Sequence, residues 1–419
     1  MAFIKPFKSL RPRKELAGKV AALPYDVMSV AEAREMVKGN TYSFLHISRP
    51  EIELSNDVDC YSEPVYEKGK ENLKRFVAEG LLMQDATECY YVYRQKMGSI
   101  IQTGLVACAS VDDYQSGVIK KHELTRPDKE EDRVKHVDYL NANDEPVFYT
   151  YKSDPYINGI IAEITRSEPE YDFTTDDEVT HTVWVVAERE KIDRLTSLFA
   201  GIGTLYVADG HHRSAAASRV REMRKAGNPN HTGREEYNYF LTVIFPDSEL
   251  NIMPYNRVVK DLNDLTIAEF MTRIAEKFSM MPAGTSYAPT RQHQIGMYLE
   301  GKWYQLAPKH ASFNENDAVS RLDVSVLQDN LLSPVLGIRN PRTDQRIQFV
   351  GGIRGVQELE RLVDSGKYRV AFSLYRTSIN ELMDLADGGK IMPPKSTWFE
   401  PKLRSGLFVH DLKYSVEGQ

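Results

Sequence analysis

The chain predicts a mixed α/β (α+β) fold, on three observations. Short apolar runs of β character alternate with amphipathic helical stretches along almost its whole length. One strand-to-helix switch stands out, where Leu205-Tyr206-Val207-Ala208 passes through Asp209-Gly210 into His211-His212-Arg213-Ser214-Ala215-Ala216-Ala217. Finally, 419 residues with 42% hydrophobic and 27% charged side chains have the makeup of a soluble globular protein of two or three domains.

In chain order, Pro24-Tyr25-Asp26-Val27 breaks the chain. Ser29 to Val37 follows as a helix, with Ser29 as N-cap and Glu32 completing a capping box. Ser43 to Ser48 reads as a strand that ends at Arg49-Pro50-Glu51, and Tyr61 to Glu79 as an amphipathic helix stopped by Gly80. Cys89 to Arg94 and Ile101 to Val111 make a hairpin about Gly98. Lys120 to Asn141 is dominated by charge, with helical spacing after Pro127, and Val147 to Tyr151 is a strand. Val183–Val186, Ile192–Phe199, Leu205–Ala208, Arg213–Ala226 and Tyr239–Pro246 read as a β-α-β-α-β unit. Beyond it, Leu265–Phe278 and Arg354–Ser365 are helices and Tyr368–Leu374 is a strand. The expected organisation is an N-terminal α/β segment, 1–165, contributing to a cleft; a central core, 166–260; and a C-terminal α/β segment, 261–419, with a basic, Pro-rich tail.

Composition excludes several classes. A net charge of −7 argues against general nucleic-acid binding. Three scattered cysteines, Cys60, Cys89 and Cys108, form no CxxC pair and argue against a disulfide scaffold or a structural zinc site. No apolar run approaches the roughly 18 residues that span a bilayer, and Met1 to Phe7 is too polar for a secretion signal. The expected location is the cytoplasm, with no membrane partner.

The chemistry concentrates at Asp209–Arg213. A helix beginning there points backbone N–H groups and the positive end of its dipole at one spot, with two imidazoles and a guanidinium in the first turn. Gly210 lets a ligand approach the backbone. The group suits an anion such as phosphate; the bland alternative is that Asp209 merely caps the helix.

Val207 to Ala216 resembles the signature of the ParB/sulfiredoxin superfamily, and its His-His variant with a preceding Asp is more similar to the free-serine kinases of that superfamily than to its chromosome-partitioning members. The chain as a whole resembles the family known as domain of unknown function 1015, through Pro24-Tyr25-Asp26-Val27, Ser43 to Glu51, His122-Glu123-Leu124-Thr125, Asp209 to Arg213 and Pro393 to Leu407. The resemblance implies a ParB/sulfiredoxin-like core that binds ATP or ADP through Gly210, His211, His212, Arg213 and Ser214, with Mg²⁺ and Asp209 as its protein ligand or as orienter of the base. It implies transfer of phosphate to a free amino acid, L-serine foremost. His211 stands where sulfiredoxins carry their cysteine, which argues against sulfinic-acid repair.

Phosphoryl transfer to a hydroxyl needs a carboxylate to take the proton. Glu51 and Glu123 both qualify. In the charged segment around His122-Glu123, Lys129 or Arg133 can meet phosphate; a metalloprotease is rejected there because Arg126 replaces the second histidine. Arg49, with Glu51, offers a two-point fit for an amino acid's carboxylate, and Asp26 and His46 are weaker candidates. His122 and Arg404 are further candidates for substrate binding. Gly389 to Ser396 has the spacing of a P-loop but places Pro394 at its second glycine, and proline lacks the cradling N–H. Lys395, Ser396, Thr397, Lys402 and Arg404 remain as a basic lid over the nucleotide. The competing reading is a nucleotide-dependent regulator or DNA-partitioning protein; the acidic chain and the lack of a convincing helix-turn-helix after Pro246 weigh against it.

Overall fold

The computed structural model describes residues 1–413 and divides into two compact units, 1–250 with 401–413, and 251–400. The sequence segmentation at 165 and 260 differs from this division, because strands on both sides of residue 165 hydrogen-bond into one sheet.

That sheet organises the first unit. Its strands are β1 (Ile4–Lys5), β2 (Tyr90–Met97), β3 (Ile100–Ser110), β4 (Ile119–Lys120), β5 (Val147–Tyr151), β6 (Tyr171–Thr174), β7 (Val179–Val186), β8 (Leu205–Asp209) and β9 (Tyr239–Pro246). They lie in the order β4-β8-β5-β9-β3-β2-β7-β6, with β1 on β3. β5 is parallel to β9 and antiparallel to β8, so it separates the two strands that flank the Asp209 switch. The expected β-α-β-α-β unit is therefore corrected. Its elements form as read, but β7 lies across the sheet and β8 and β9 run in opposite senses.

Besides two short helices at Ala17–Val20 and Val111–Ser116, this unit holds α1 (Val30–Met36), α2 (Leu45–Ser48), α3 (Glu63–Ala78), α4 (Pro127–Leu140), α5 (Pro155–Ile164), α6 (Arg189–Ala200) and α7 (His211–Gly227). Ser29 and Glu32 form the reciprocal capping box of α1, and Gly80, at φ +65°, follows α3 in the left-handed region. Gly98 turns the β2–β3 hairpin at φ +57°. α5 and α6 supply Ile157, Ile160, Leu195 and Phe199 to a core shared with Tyr149, Tyr151 and Val207.

The stretch Ser43–Ser48 is a correction: no strand forms there, and Leu45–Ser48 is helical. Ser48 and Arg49 donate backbone N–H bonds to Phe44 and Leu45, closing helical turns. An apolar run this short fits either state by pattern. Packing decides here, since Leu45 and Ile47 are buried and Gly69 of α3 leaves room for the Ile47 carbonyl, 3.2 Å from where a Cβ would stand.

The second unit holds a six-stranded sheet. β10 (Tyr255–Val259), β11 (Phe278–Pro282), β12 (Ile295–Leu299), β13 (Lys302–Pro308), β14 (Ile347–Gly351) and β15 (Val370–Leu374) are ordered β11-β13-β12-β15-β10-β14. α8 (Ile267–Lys277) and α9 (Gln357–Asp364) form close to the expected bounds. No helix among the described residues is long and apolar enough to cross a membrane.

Candidate functional site

The switch at Asp209 is built as the sequence suggests. β8 buries Leu205 to Ala208 and ends at Asp209. Gly210 then takes φ +94°, ψ 32°, a left-handed conformation that a side chain would oppose, and serves as the N-cap of α7 without a side-chain cap bond. Asp209 Oδ1 accepts the Gly210 N–H at 2.9 Å. It therefore braces the turn rather than capping the helix from the N-cap position.

Two cations converge on this carboxylate. Lys402 Nζ lies 3.8 Å and Arg213 Nη2 lies 3.7 Å from Asp209 Oδ2. The Asp209 side chain is 33% exposed, while those of Arg213 and Lys402 are 9% and 13% exposed. Burial alone raises the Asp209 carboxyl; Lys402, Arg213 and the Gly210 N–H outweigh it and hold the group down at about 2. Asp209 is thus an anion already faced by two cations, and a further positive ion would compete with them. Among the described residues no group of three or more His, Cys, Asp or Glu side chains is arranged to hold a metal. Asp209 fits Mg²⁺ only as a single ligand, for an ion that arrives with nucleotide phosphates.

Arg213 also holds the fold. Its Nη1 donates to the Pro146 carbonyl, just before β5. Burial works against its charge, and Asp209, Asp26, Glu145 and Tyr25 sustain it. Glu145, itself buried, accepts the Tyr25 N–H at 3.0 Å and the Ser405 hydroxyl at 3.1 Å. Arg133 lies 3.9 Å over the Tyr25 ring and pairs with Asp132 at 2.8 Å. It is therefore a buried partner of the Tyr25 turn, where the sequence reading offered it to phosphate. Lys129 donates to the Tyr61 hydroxyl at 2.5 Å.

The histidines divide. His211 and His122 are 5% and 2% exposed and meet edge to face, ring centroids 4.4 Å apart. Burial pushes His122 down to about 4, and burial together with His122 pushes His211 well below the usual imidazole range. Burial thus favours the neutral form of both; His211 Nε2 faces the His122 N–H, while His122 Nδ1 is buried without a hydrogen-bond partner among the described residues. His212 is half-buried, and its Nε2 accepts the Arg126 N–H at 3.0 Å. Ser214 is buried; its hydroxyl bonds the Gly210 carbonyl at 3.2 Å and the Tyr149 hydroxyl at 2.9 Å, so it stabilises the turn from the core side.

Of the two candidate bases, Glu123 is half-buried and follows His122 directly, whose N–H faces His211 Nε2 at 3.5 Å. Glu51 is engaged by Arg49 Nε at 2.6 Å. Arg49 Nη1 donates to the carbonyls of Tyr25 and Met28 at 2.5 and 2.9 Å, so this guanidinium staples the loop before α1. His46 pairs with Glu53 at 2.6 Å. Arg404 is 3% exposed, bonded to His181 Nε2 at 3.2 Å and paired with Asp177. That is a structural tie to β7 and the turn preceding it, at odds with direct substrate contact. Lys395, Ser396 and Thr397 belong to the second unit. There the Lys395 carbonyl accepts from Arg257 at 2.9 Å, and Ser396 bonds the Pro393 carbonyl at 2.6 Å.

Sequence reasoning missed Glu145. Its available signal is the acidic pair Asp144-Glu145 set directly before Pro146 and an apolar strand, where a buried carboxylate demands a cationic partner.

A family model described as "Protein of unknown function (DUF1015)" matches residues 4–325. No curated protein matches the chain. Among solved structures, a free serine kinase in complex with AMP is 14% identical with a TM-score of 0.36, covering 73% of this chain and 91% of that one. A conserved hypothetical protein from Pyrococcus furiosus is 14% identical, with a TM-score of 0.35 over 73% of this chain and 95% of the other. SbnI with a C-terminal truncation, from Staphylococcus aureus, is 12% identical, with a TM-score of 0.37 over 74% and 90%. These likenesses are slight, and the functional reading rests on the site itself. The match to the family model spans most of the length, and the chain belongs to the DUF1015 family.

Proposed function

We propose that the first unit binds the phosphates of an adenine nucleotide, ATP or ADP, at the start of α7 and transfers a phosphoryl group to the hydroxyl of a free amino acid, L-serine foremost. The observation that carries this reading is the convergence of Lys402 and Arg213 on Asp209 beside a left-handed glycine at a helix N-terminus. Such a turn offers backbone N–H groups to an anion, and the two cations add charge-assisted bonds. Neutral His211 and His122 suit a site where charge builds on transferred oxygens, since they bond to it without adding fixed charge. Glu123 is the carboxylate we assign to accept the hydroxyl proton. Mg²⁺ would enter with the nucleotide, with Asp209 its protein ligand, and would screen the phosphate charge. The resemblance of Val207 to Ala216 to a phosphate-binding signature supports the same assignment.

The test is incubation of the purified chain with Mg²⁺, ATP or ADP and L-serine, with phosphoserine read by mass spectrometry. Phosphoserine formed by the wild type and lost in Glu123→Gln supports the reading. No phosphorylated product from serine, threonine or homoserine defeats the transfer step. Nucleotide binding without turnover, joined to salt-sensitive DNA binding, would favour the regulatory alternative.

A further inference from the structure

On the first unit, a cleft of about 110 Å³ opens where β5 and β9 end, against α5. Leu105, Ile157, Ile161 and Ile244 line it together with Arg94 and Glu249. The two charged groups are fixed to one residue. Arg94 Nε donates to the Thr103 hydroxyl at 3.1 Å, and the Thr103 N–H donates to Glu249 Oε2 at 2.6 Å. The Arg94 guanidinium is further held 5.1 Å over the Trp184 ring. Yet among the described residues neither Arg94 nor Glu249 forms an ion pair, with the other or with a third group.

Opposite charges that line one cleft and are tied to one residue without forming an ion pair are unusual, because half-buried ions normally find a partner. A ligand carrying both signs would satisfy them together: a carboxylate takes the two-point fit of a guanidinium, and an ammonium takes the remaining carboxylate oxygen. The apolar wall and the small volume restrict what else that ligand carries. We propose that this cleft binds a small α-amino acid zwitterion with a short apolar side chain, Arg94 reading its carboxylate and Glu249 its ammonium.

The cleft is separate from the Asp209 turn but joined to it by one strand. Phe148 of β5 is the register partner of Asp209, and Tyr151, three residues on and about 10 Å along the strand, lines the cleft. Just before the same strand, Pro146 receives Arg213. An amino acid held here sits at the far end of the element that positions the cationic site, as a regulatory ligand would.

The experiment is calorimetric titration of the full chain with L-alanine and L-valine, which carry no hydroxyl to accept phosphate. Expected is saturable binding of at least one of them, weakened about tenfold or more in Arg94→Met and in Glu249→Gln, as for loss of a hydrogen bond to a charged group. Arg94→Lys, which keeps the charge and loses the planar fit, is expected to fall between and guards against a folding defect in Arg94→Met. ADP affinity is read in the same variants and is expected to be unchanged, which separates this site from the nucleotide reading. No saturable binding to the wild type, or equal binding to the wild type and both variants, overturns the proposal.

Discussion

The Glu145 carboxylate accepts the Tyr25 backbone N–H at 3.0 Å. This bond ties a turn near the amino end to the residue that precedes Pro146 and β5, and the same carboxylate holds Ser405 from the carboxyl end. Three distant segments thus meet on one buried acid beside Arg133 and Arg213. Truncating it leaves two buried guanidinium groups without this counter-charge. Glu145→Ala is expected to destabilise the protein by about 3–5 kcal/mol, the range for breaking a buried charge pair from one side. Glu145→Gln, which keeps an acceptor for Tyr25, is expected to cost less. Urea denaturation of both variants measures the difference.

Acid should weaken the fold through His122. Its folded value of about 4 lies below the ordinary 6.5 because it is buried. Between those two values the unfolded chain binds a proton that the folded chain refuses, so stability falls as pH drops from 6.5 towards 4. The loss from this group is on the order of 3 kcal/mol. Unfolding free energies measured across that window should show a shallower slope in His122→Gln. A slope identical to that of the wild type would remove His122 as its source.

Arg404 should behave as a structural residue. Replacing it by Met breaks its bonds to His181 and Asp177, and is expected to lower stability by about 1–3 kcal/mol while leaving nucleotide affinity unchanged. Thermal melts paired with ADP titration check both halves. A selective loss of ligand binding with a normal melt would return Arg404 to the site.

Gly210 carries a geometric constraint. At φ +94° a Cβ is strained, and it would stand 3.1 Å from Arg213 Nε. Gly210→Ala is therefore expected to cost about 1–2 kcal/mol and to weaken nucleotide binding by displacing Arg213. Wild-type stability and affinity in this variant would show that the turn tolerates a side chain.

Local signals in the sequence were sufficient where the physics is local. The Ser29–Glu32 capping box, the Gly80 stop, the Gly98 hairpin and the Asp209-Gly210 switch are each set by a few neighbouring residues, and each forms as read. What depended on distant partners was not legible. Leu45–Ser48 became a helix through packing against α3, and β5 entered between β8 and β9 although both follow it in the chain. Lys402 and Arg404 stand two residues apart in one basic tail, yet one faces Asp209 and the other Asp177. Lys395 to Thr397, from the same tail, fall in the other unit. Charge runs name the residue types a site needs, but the register of the folded chain decides which of them reach it.

The central claim is that the Asp209–Arg213 turn, with Lys402, holds nucleotide phosphates. Calorimetric titration of ADP and ATP, with Mg²⁺, into the wild type and Lys402→Met tests it most directly. Saturable binding by the wild type, weakened about tenfold or more by the loss of one charge-assisted contact, is the expected result. No binding by the wild type, or the same affinity once Lys402 is gone, would contradict it.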